Sequence, residues 1–200
     1  MFDTEALLNS GGLLILLFVV YGQIGLFFCF FLPGGGFMFA AGLLIATGGF
    51  DYTVSTVCIL LVIAAMAGNV TGYWFGWKTR DWIYEREDSR FLKRRYLASG
   101  ENFYKKHGPV ALAIGLFFPI IRTFAPIVSG IIRLNFSRFL LFTGFGSVAY
   151  VLCFVLAGYL MGTSPFLKPY LPYIIILTIL VITLPVVIRI NREMKKERPG

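Results

Sequence analysis

Arg122 is the residue whose surroundings in the sequence most favour a chemical role. It lies within an apolar segment, PVALAIGLFFPIIRTFAPIVSGII, which runs from Pro109 to Ile132. An arginine inside a bilayer costs about 2.5 to 3.5 kcal/mol on insertion scales, so such a residue is a functional candidate by default. Its planar guanidinium offers parallel donors that match the oxygens of a phosphate. The alternative is that Arg122 only extends its charge to the cytoplasmic interface.

A second candidate anion site is the glycine-rich run PGGG, which begins at Pro33. We expect this run to open a helical segment, whose first backbone amides attract anions and are left uncovered by glycine. The run lacks the GK[ST] ending of a P-loop, so a nucleotide site is not predicted. Two prolines also interrupt the apolar segment around the arginine. The substrate-binding residues that this pattern suggests are Arg122, Pro33, Gly34, Gly35, Gly36, Pro119 and Pro126.

The sequence shows no arrangement suited to covalent catalysis. His107, the single histidine, follows two lysines in a basic segment and is expected to be solvated or interfacial. No carboxylate pair lies within an apolar segment, which leaves general acid–base catalysis without candidates at membrane depth. Cys29, Cys58 and Cys153 all lie in apolar runs without CxxC spacing, as packing residues do. We therefore predict no enzyme activity, no metal site and no cofactor.

The elements that must position Arg122 are predicted to be membrane helices. Of the 200 residues, 58% are hydrophobic and 14% are charged, and the mean hydropathy is +0.79. A helix that crosses the hydrocarbon core needs about 20 apolar residues. Runs of that kind are Gly12–Leu32, Val54–Trp77, Phe139–Gly162 and Tyr170–Ile190. The N-terminus lacks a basic region and a cleavage site, so we expect Met1–Leu32 to be retained rather than removed as a signal peptide.

The basic residues are concentrated in two segments, and this concentration sets the expected topology. Lys78–Lys106 carries nine of the 18 Lys and Arg residues, and Arg189–Arg198 carries five. Both segments should be cytoplasmic, because positive charge is retained on that side. An even number of crossings must then separate them, so the segment 109–132 should enter and leave the membrane as a hairpin from the cytoplasmic side. The first basic segment is either an ordinary charged loop or an interfacial helix on anionic lipids.

A similar apolar, glycine-rich segment, Leu32–Gly49, is predicted to form a second re-entrant hairpin, which enters from outside and leaves the N-terminus cytoplasmic. GYWFG at Gly72 and GYLMG at Gly158 are separated by the same spacing as Pro33 and Pro119. The two halves would then be inverted copies, as in many transporters whose substrate site lies near the midplane. The alternative is that these glycines only permit close helix packing.

The predicted fold is an all-α membrane protein with about four transmembrane helices and two re-entrant helical hairpins arranged as an inverted repeat. The first half, 1–77, contains hairpin 32–49 and helix 54–77, and the second half, 109–162, contains hairpin 109–132 and helix 139–162. The remaining predicted segments are the basic cytoplasmic loop or interfacial helix 78–108, the final helix 170–190 and the basic cytoplasmic tail 191–200.

Six motifs together resemble the DedA family, also called the SNARE-associated or VTT-domain membrane proteins. They are LPGG at Leu32, GNVTGYWFG at Gly68, FYKKHG at Phe103, PIIRTFAPIVSG at Pro119, SRF at Ser137 and GYLMG at Gly158. The resemblance runs from about Gln23 to Gly162. It implies lipid transport, since bacterial members are associated with returning undecaprenyl phosphate or moving phospholipids across the inner membrane.

The resemblance also implies which positions form the site. Bacterial members carry two functional acids and two functional arginines, and the acids correspond here to Gln23 and Gly35. The arginines correspond to Leu116 and Arg122, so the second arginine alone is kept. This comparison adds Gln23 to the predicted substrate-binding residues. It also removes the carboxylates that proton-driven transport would use.

The sequence therefore predicts a protein of the bacterial inner membrane that translocates a phosphate-bearing lipid between leaflets, with Arg122 on the phosphate. The main alternative is a non-transporting membrane scaffold, and a lipid-modifying enzyme is a third possibility. Expected partners are a lipid phosphate head group and, at the basic segment, anionic membrane lipids, but no nucleic acid. Homo-oligomerisation is left open.

Overall fold

The computed structural model of the chain describes residues 4–25, 34–85, 110–117 and 119–164. These residues form α-helices and a few short turns, and no strand occurs among them, which confirms the all-α class. The helices are α1 (Thr4–Gly25), α2 (Gly34–Ala46), α3 (Val54–Glu85), α4 (Val110–Gly115), α5 (Pro119–Ile131) and α6 (Phe136–Thr163).

Two of these helices are long and apolar enough to cross a membrane. The qualifying stretches are Val54–Arg80 in α3 and Phe136–Thr163 in α6, where the sequence predicts spans 54–77 and 139–162. α3 continues to Glu85, beyond the predicted end at Trp77. The residues after Trp77, KTRDWIYE, include neither proline nor glycine, so the helix continues after the apolar run has ended.

The first predicted span differs in its bounds. α1 begins at Thr4 rather than Gly12, and its described part ends at Gly25. Residues 26–33 lie outside the described part of the chain, as do the predicted final helix 170–190, the tail 191–200 and the basic segment after Glu85.

The first predicted hairpin, 32–49, contains one helix over its described residues rather than two limbs. α2 has 13 residues and ends in a turn in which the amides of Gly48 and Gly49 donate to the carbonyls of Ile45 and Leu44. Gly48 has φ of 78°, a left-handed conformation that glycine adopts without strain. A single helix with one compact turn therefore fills the described residues 34–49 of this segment.

The second predicted hairpin, 109–132, does contain two helical limbs. α4 and α5 contact each other and are separated by a short turn that includes Leu116 and Phe117. α5 ends in the same kind of turn as α2, with Arg133, at φ of 53°, in the left-handed position. Whether either segment is re-entrant, and whether the halves are inverted, stays a prediction.

The helices contribute to two compact units. The first comprises residues 1–19, 31–59 and 151–200. In this unit α2 packs closely on the second half of α6, because a Cβ added at Gly42 would meet the carbonyl of Val155, and one added at Gly158 would meet that of Phe39. Small residues of this kind let membrane helices approach backbone to backbone.

The second unit comprises residues 20–30 and 60–150. Here α5 packs on α3 in the same way, since a Cβ at Gly76 would meet the carbonyl of Ile127 and one at Gly130 that of Tyr73. Tyr73 also packs with Leu112 and Phe139 in a buried apolar cluster that joins α3, α4 and α6. Each short helix thus packs by glycine contacts on the long helix of the other sequence half.

Candidate functional site

Arg122 lies in the interior of the second unit. Its side chain is 3% exposed, and its neighbour Thr123 is fully buried, whereas the apolar Ile121 is 40% exposed. α5 therefore turns polar groups inward and an apolar side chain outward, the reverse of a helix on a water-soluble protein. Ionisable residues within membrane helices characteristically face the protein interior in this way.

Two residues from other helices bind the guanidinium of Arg122. Nη2 donates to Oε1 of Gln23 in α1 at 3.1 Å, and Nη1 donates to the hydroxyl of Tyr150 in α6. The guanidinium carbon also lies 5.1 Å from the centre of the Tyr150 ring, within the range of a cation–π interaction. Gln23, Arg122 and Tyr150 form what we call the arginine cluster.

The backbone of Gln23 is fixed by the residue next to the arginine. The hydroxyl of Thr123 donates to the carbonyl of Gln23 at 3.1 Å. Two consecutive residues of α5 therefore bind one residue of α1, one through its side chain and one through its backbone. This pairing holds the Gln23 amide in place beside the guanidinium.

The arginine cluster retains two buried donors without a partner among the described residues. They are Nε of Arg122 and Nε2 of Gln23. The orientation of the Gln23 amide follows from its contacts, because only its oxygen can accept from the guanidinium. A buried donor left without an acceptor costs about 1 to 3 kcal/mol. Two donors of the cluster therefore lack an acceptor among the described residues.

The second feature of the arginine cluster is its net positive charge. In the described ranges, the buried polar and charged side chains include Arg122 but no aspartate or glutamate. Gln23 is a neutral partner, so it binds the guanidinium without cancelling its charge. A buried charge needs a counter-charge to offset its lost hydration. Among the described buried side chains, none supplies that counter-charge.

A second buried polar contact lies one helical turn away along α6. Nδ2 of Asn69 in α3 donates to the Ser147 hydroxyl at 3.3 Å and to the Ala65 carbonyl at 3.0 Å. Ser147 precedes Tyr150 by three residues, so both lie on the same face of α6. Oδ1 of Asn69 has no partner among the described residues. Polar groups thus continue along α6 from the arginine cluster.

Of the substrate-binding residues predicted from the sequence, the structure brings Arg122 and Gln23 together. Gly34, Gly35 and Gly36 begin α2, in the first unit, and the first two of them are buried. Pro33 lies outside the described residues. The glycine run therefore stays a separate prediction.

The two prolines of the predicted set have structural positions in α5. Pro119 is its first residue, where a proline costs a helix no hydrogen bond. Pro126 is buried and packs beside Gly72 of α3. It also lacks the amide hydrogen that would bond to the carbonyl of Arg122, four residues earlier. That carbonyl is therefore released from the regular helical pattern.

Sequence reasoning missed several residues of this site. Tyr150 and Ser147 lie in an apolar helix where neither polar group stands out, although their three-residue spacing places them on one face. Thr123 was missed because the hydroxyl of a helical threonine usually donates to a backbone carbonyl of its own helix. Leu116, at the position of the family's other arginine, is buried and lies beside Gly146 of α6.

The helices and this buried cationic cluster define a membrane protein with a polar interior site, and comparisons with known proteins identify its family. Residues 32–160 match the VTT domain family. The Escherichia coli K12 protein DedA is 34% identical over 181 residues, which cover 90% of this chain and 83% of DedA. The chain belongs to the DedA family of VTT-domain membrane proteins.

Other relatives agree with this assignment. The inner membrane protein YqjA of Escherichia coli K12 is 33% identical over 177 residues, covering 83% of this chain and 77% of YqjA. An uncharacterized membrane protein of Mycobacterium tuberculosis H37Rv is 32% identical over 187 residues, covering 94% and 81%. No solved structure is significantly similar. Together with the two apolar helices, these relatives identify an integral membrane protein of the bacterial inner membrane.

Proposed function

We propose that this protein translocates a phosphate-bearing lipid, either undecaprenyl phosphate or a phospholipid, between the leaflets of the membrane. Arg122 binds the phosphate. The observation that carries the proposal is the buried guanidinium, whose Nε, like Nε2 of Gln23, has no partner in the part of the chain that the structure describes. Both groups donate, and a phosphate oxygen accepts.

A phosphate suits the arginine cluster in charge and in geometry. Charge-assisted hydrogen bonds from a guanidinium to phosphate oxygens are among the strongest that proteins make. The amide of Gln23 adds a donor without a competing negative charge. Among the described residues no buried carboxylate would neutralise Arg122 in place of the ligand.

The burial of Arg122 favours a phosphate-binding role over the two alternatives, an arginine that extends to the interface and a non-transporting scaffold. An arginine that extends its charge to the interface keeps its guanidinium in water, whereas this side chain is 3% exposed. A scaffold has no evident use for a buried cation with a spare donor. The polar groups of Asn69 and Ser147 also extend the polar interior along α6, as a lipid head group in transit would require.

The architecture supports movement of a head group past the midplane. α2 and α5 are each 13 residues long, about 20 Å, which is shorter than the hydrocarbon core. Short helices at corresponding positions of two sequence halves mark the substrate site in several transporter folds.

Binding of matched lipids tests the phosphate contact. Purified protein in detergent is titrated with undecaprenyl phosphate and undecaprenol, and with phosphatidic acid and diacylglycerol, while bound lipid is counted by native mass spectrometry. We expect the phosphorylated member of at least one pair to bind at least tenfold more tightly, and Arg122→Lys to weaken that preference although it keeps the charge. Equal binding of both members in each pair would overturn the proposal.

A further inference from the structure

We propose that the second unit carries a separate binding site for an anionic phospholipid, in a pocket between α3 and α6. The cavity has a volume of about 410 Å³. It is lined by Val70, Tyr73, Trp74, Trp77 and Phe136.

The walls of this pocket are apolar, aromatic and accessible from the surface. Trp74, Trp77 and Phe136 are 58%, 48% and 44% exposed. Tryptophan and other amphipathic aromatic residues concentrate where membrane meets water, because their rings favour the depth of the lipid head groups. A phospholipid can place its glycerol and upper acyl chain against such walls.

The far wall of the pocket is held rigidly. The Tyr73 hydroxyl donates to the carbonyl of Leu134 at 2.6 Å, and its ring lies 5.3 Å from that of Phe136 and 4.7 Å from that of Phe139. These contacts tie α3 to the turn before α6. One wall of the cavity is therefore fixed by contacts between α3 and the start of α6.

A cation at the rim of the pocket favours an occupant of negative charge. The Lys78 amine is exposed and lies 5.1 Å from the ring centre of Trp74, one of the lining residues. Each basic residue near a membrane surface attracts an anionic lipid by about 1 kcal/mol, roughly fivefold in affinity. The favoured occupant is thus a phospholipid with a net negative head group.

This site is distinct from the arginine cluster. Its cation, Lys78, is exposed, its lining is mainly aromatic, and the lining shares no residue with the arginine cluster. Its ligand is a resident lipid, and its occupancy does not require translocation.

Quenching of tryptophan fluorescence by brominated lipids tests the site. The chain has three tryptophans, and Trp82→Phe leaves Trp74 and Trp77 as the emitters. The full-length protein is reconstituted in phosphatidylcholine nanodiscs with small amounts of brominated phosphatidylglycerol or brominated phosphatidylcholine. We expect the anionic lipid to quench with about fivefold higher apparent affinity, and Val70→Phe to reduce this preference by filling the pocket.

Matched charge variants identify the contact. Lys78→Gln should abolish most of the preference, and Lys78→Arg should retain it. Arg80→Gln makes the same change of charge on the same helix, but Arg80 lies about 200° around the axis from Lys78, so its effect should be small. Equal quenching by the two lipids in the parent protein would overturn the proposal. An equal lowering of the preference for the anionic lipid by Lys78→Gln and Arg80→Gln would overturn the proposal too, because it would show that the preference comes from general surface charge and not from the pocket.

Discussion

Nη2 of Arg122 and Oε1 of Gln23 lie 3.1 Å apart, although the two residues are 99 positions apart in the sequence. One of the two partners of the buried guanidinium is thus an uncharged amide that accepts one hydrogen bond and whose own donor has no partner among the described residues. This relationship leaves the positive charge available to a ligand. It also makes Gln23 the position at which that availability can be altered.

Gln23→Glu should weaken the binding of phosphate-bearing lipid. The new carboxylate would pair with Arg122 in the protein interior, and close charge pairs couple by about 1.5 kcal/mol or more. A phosphate would then have to displace an internal counter-charge, so we expect an affinity loss of about tenfold. The measurement is lipid binding by native mass spectrometry.

The matched control for this change is Gln23→Met, which removes the amide without adding a charge. It should reduce phosphate binding less than Gln23→Glu does. If the carboxylate variant bound the phosphorylated lipid as tightly as the parent protein, Arg122 would not be the group that holds the phosphate.

Tyr150→Phe should destabilise the protein by about 1 to 3 kcal/mol, because Nη1 of Arg122 would lose its acceptor while the guanidinium stays buried. The ring, and with it the cation–π contact, remains. Tyr159→Phe makes the same change in the same helix within the other unit and serves as the control. Thermal unfolding of the purified protein in detergent reports the difference, and equal melting temperatures for the two variants would contradict the expected role of the hydroxyl.

Gly130→Ala should also destabilise the protein, by about 1 to 3 kcal/mol, since the added methyl group would press against the Tyr73 carbonyl and force α5 away from α3. Gly11→Ala is a suitable comparison, because a Cβ there would have no neighbour within 4 Å. Its expected effect is neutral or slightly stabilising. Thermal unfolding again distinguishes the two, and a Gly130→Ala protein as stable as Gly11→Ala would show that the helices are not in close contact.

The sequence was sufficient to predict the membrane class and the apolar stretches of α3 and α6, and it singled out Arg122, which the structure places in the interior of the second unit. Long apolar runs and an isolated charge are local properties, so they can be recognised without a structure. Helix ends were less predictable, because the end of an apolar run marks a change of environment and not the end of hydrogen bonding. α3 shows this by continuing from Trp77 to Glu85.

The arginine cluster itself could be predicted only in part. Gln23 was found through the family resemblance, whereas Tyr150 and Thr123 required the packing of α1, α5 and α6 to be known. No local pattern links Tyr150 to an arginine 28 positions earlier. Contacts between distant helices depend on their packing and crossing geometry, and a single sequence does not specify these directly.

The predicted topology can be tested by labelling single cysteines with an impermeant thiol reagent in a background without Cys29, Cys58 and Cys153. We expect cysteines at Asp51 and Ser164 to be labelled from outside intact cells. With both basic segments in the cytoplasm, these positions must face outside if each predicted hairpin enters and leaves the membrane on one side. A cysteine at Arg94, in the basic segment, should react only after the membrane is opened. External labelling at Arg94 would refute the inverted-repeat arrangement.

The most direct test of the account is leaflet equilibration of a phosphate-bearing lipid in liposomes that contain the purified protein. Because Gln23 and Gly35 replace the acids that a proton-coupled relative would use, the parent protein should equilibrate its lipid without an imposed proton gradient. Arg122→Lys and Arg122→Gln should both lose most of this activity while they remain incorporated. Equal rates for the parent protein and Arg122→Gln would contradict the central role of the arginine, and an absence of equilibration by the parent protein would favour the scaffold.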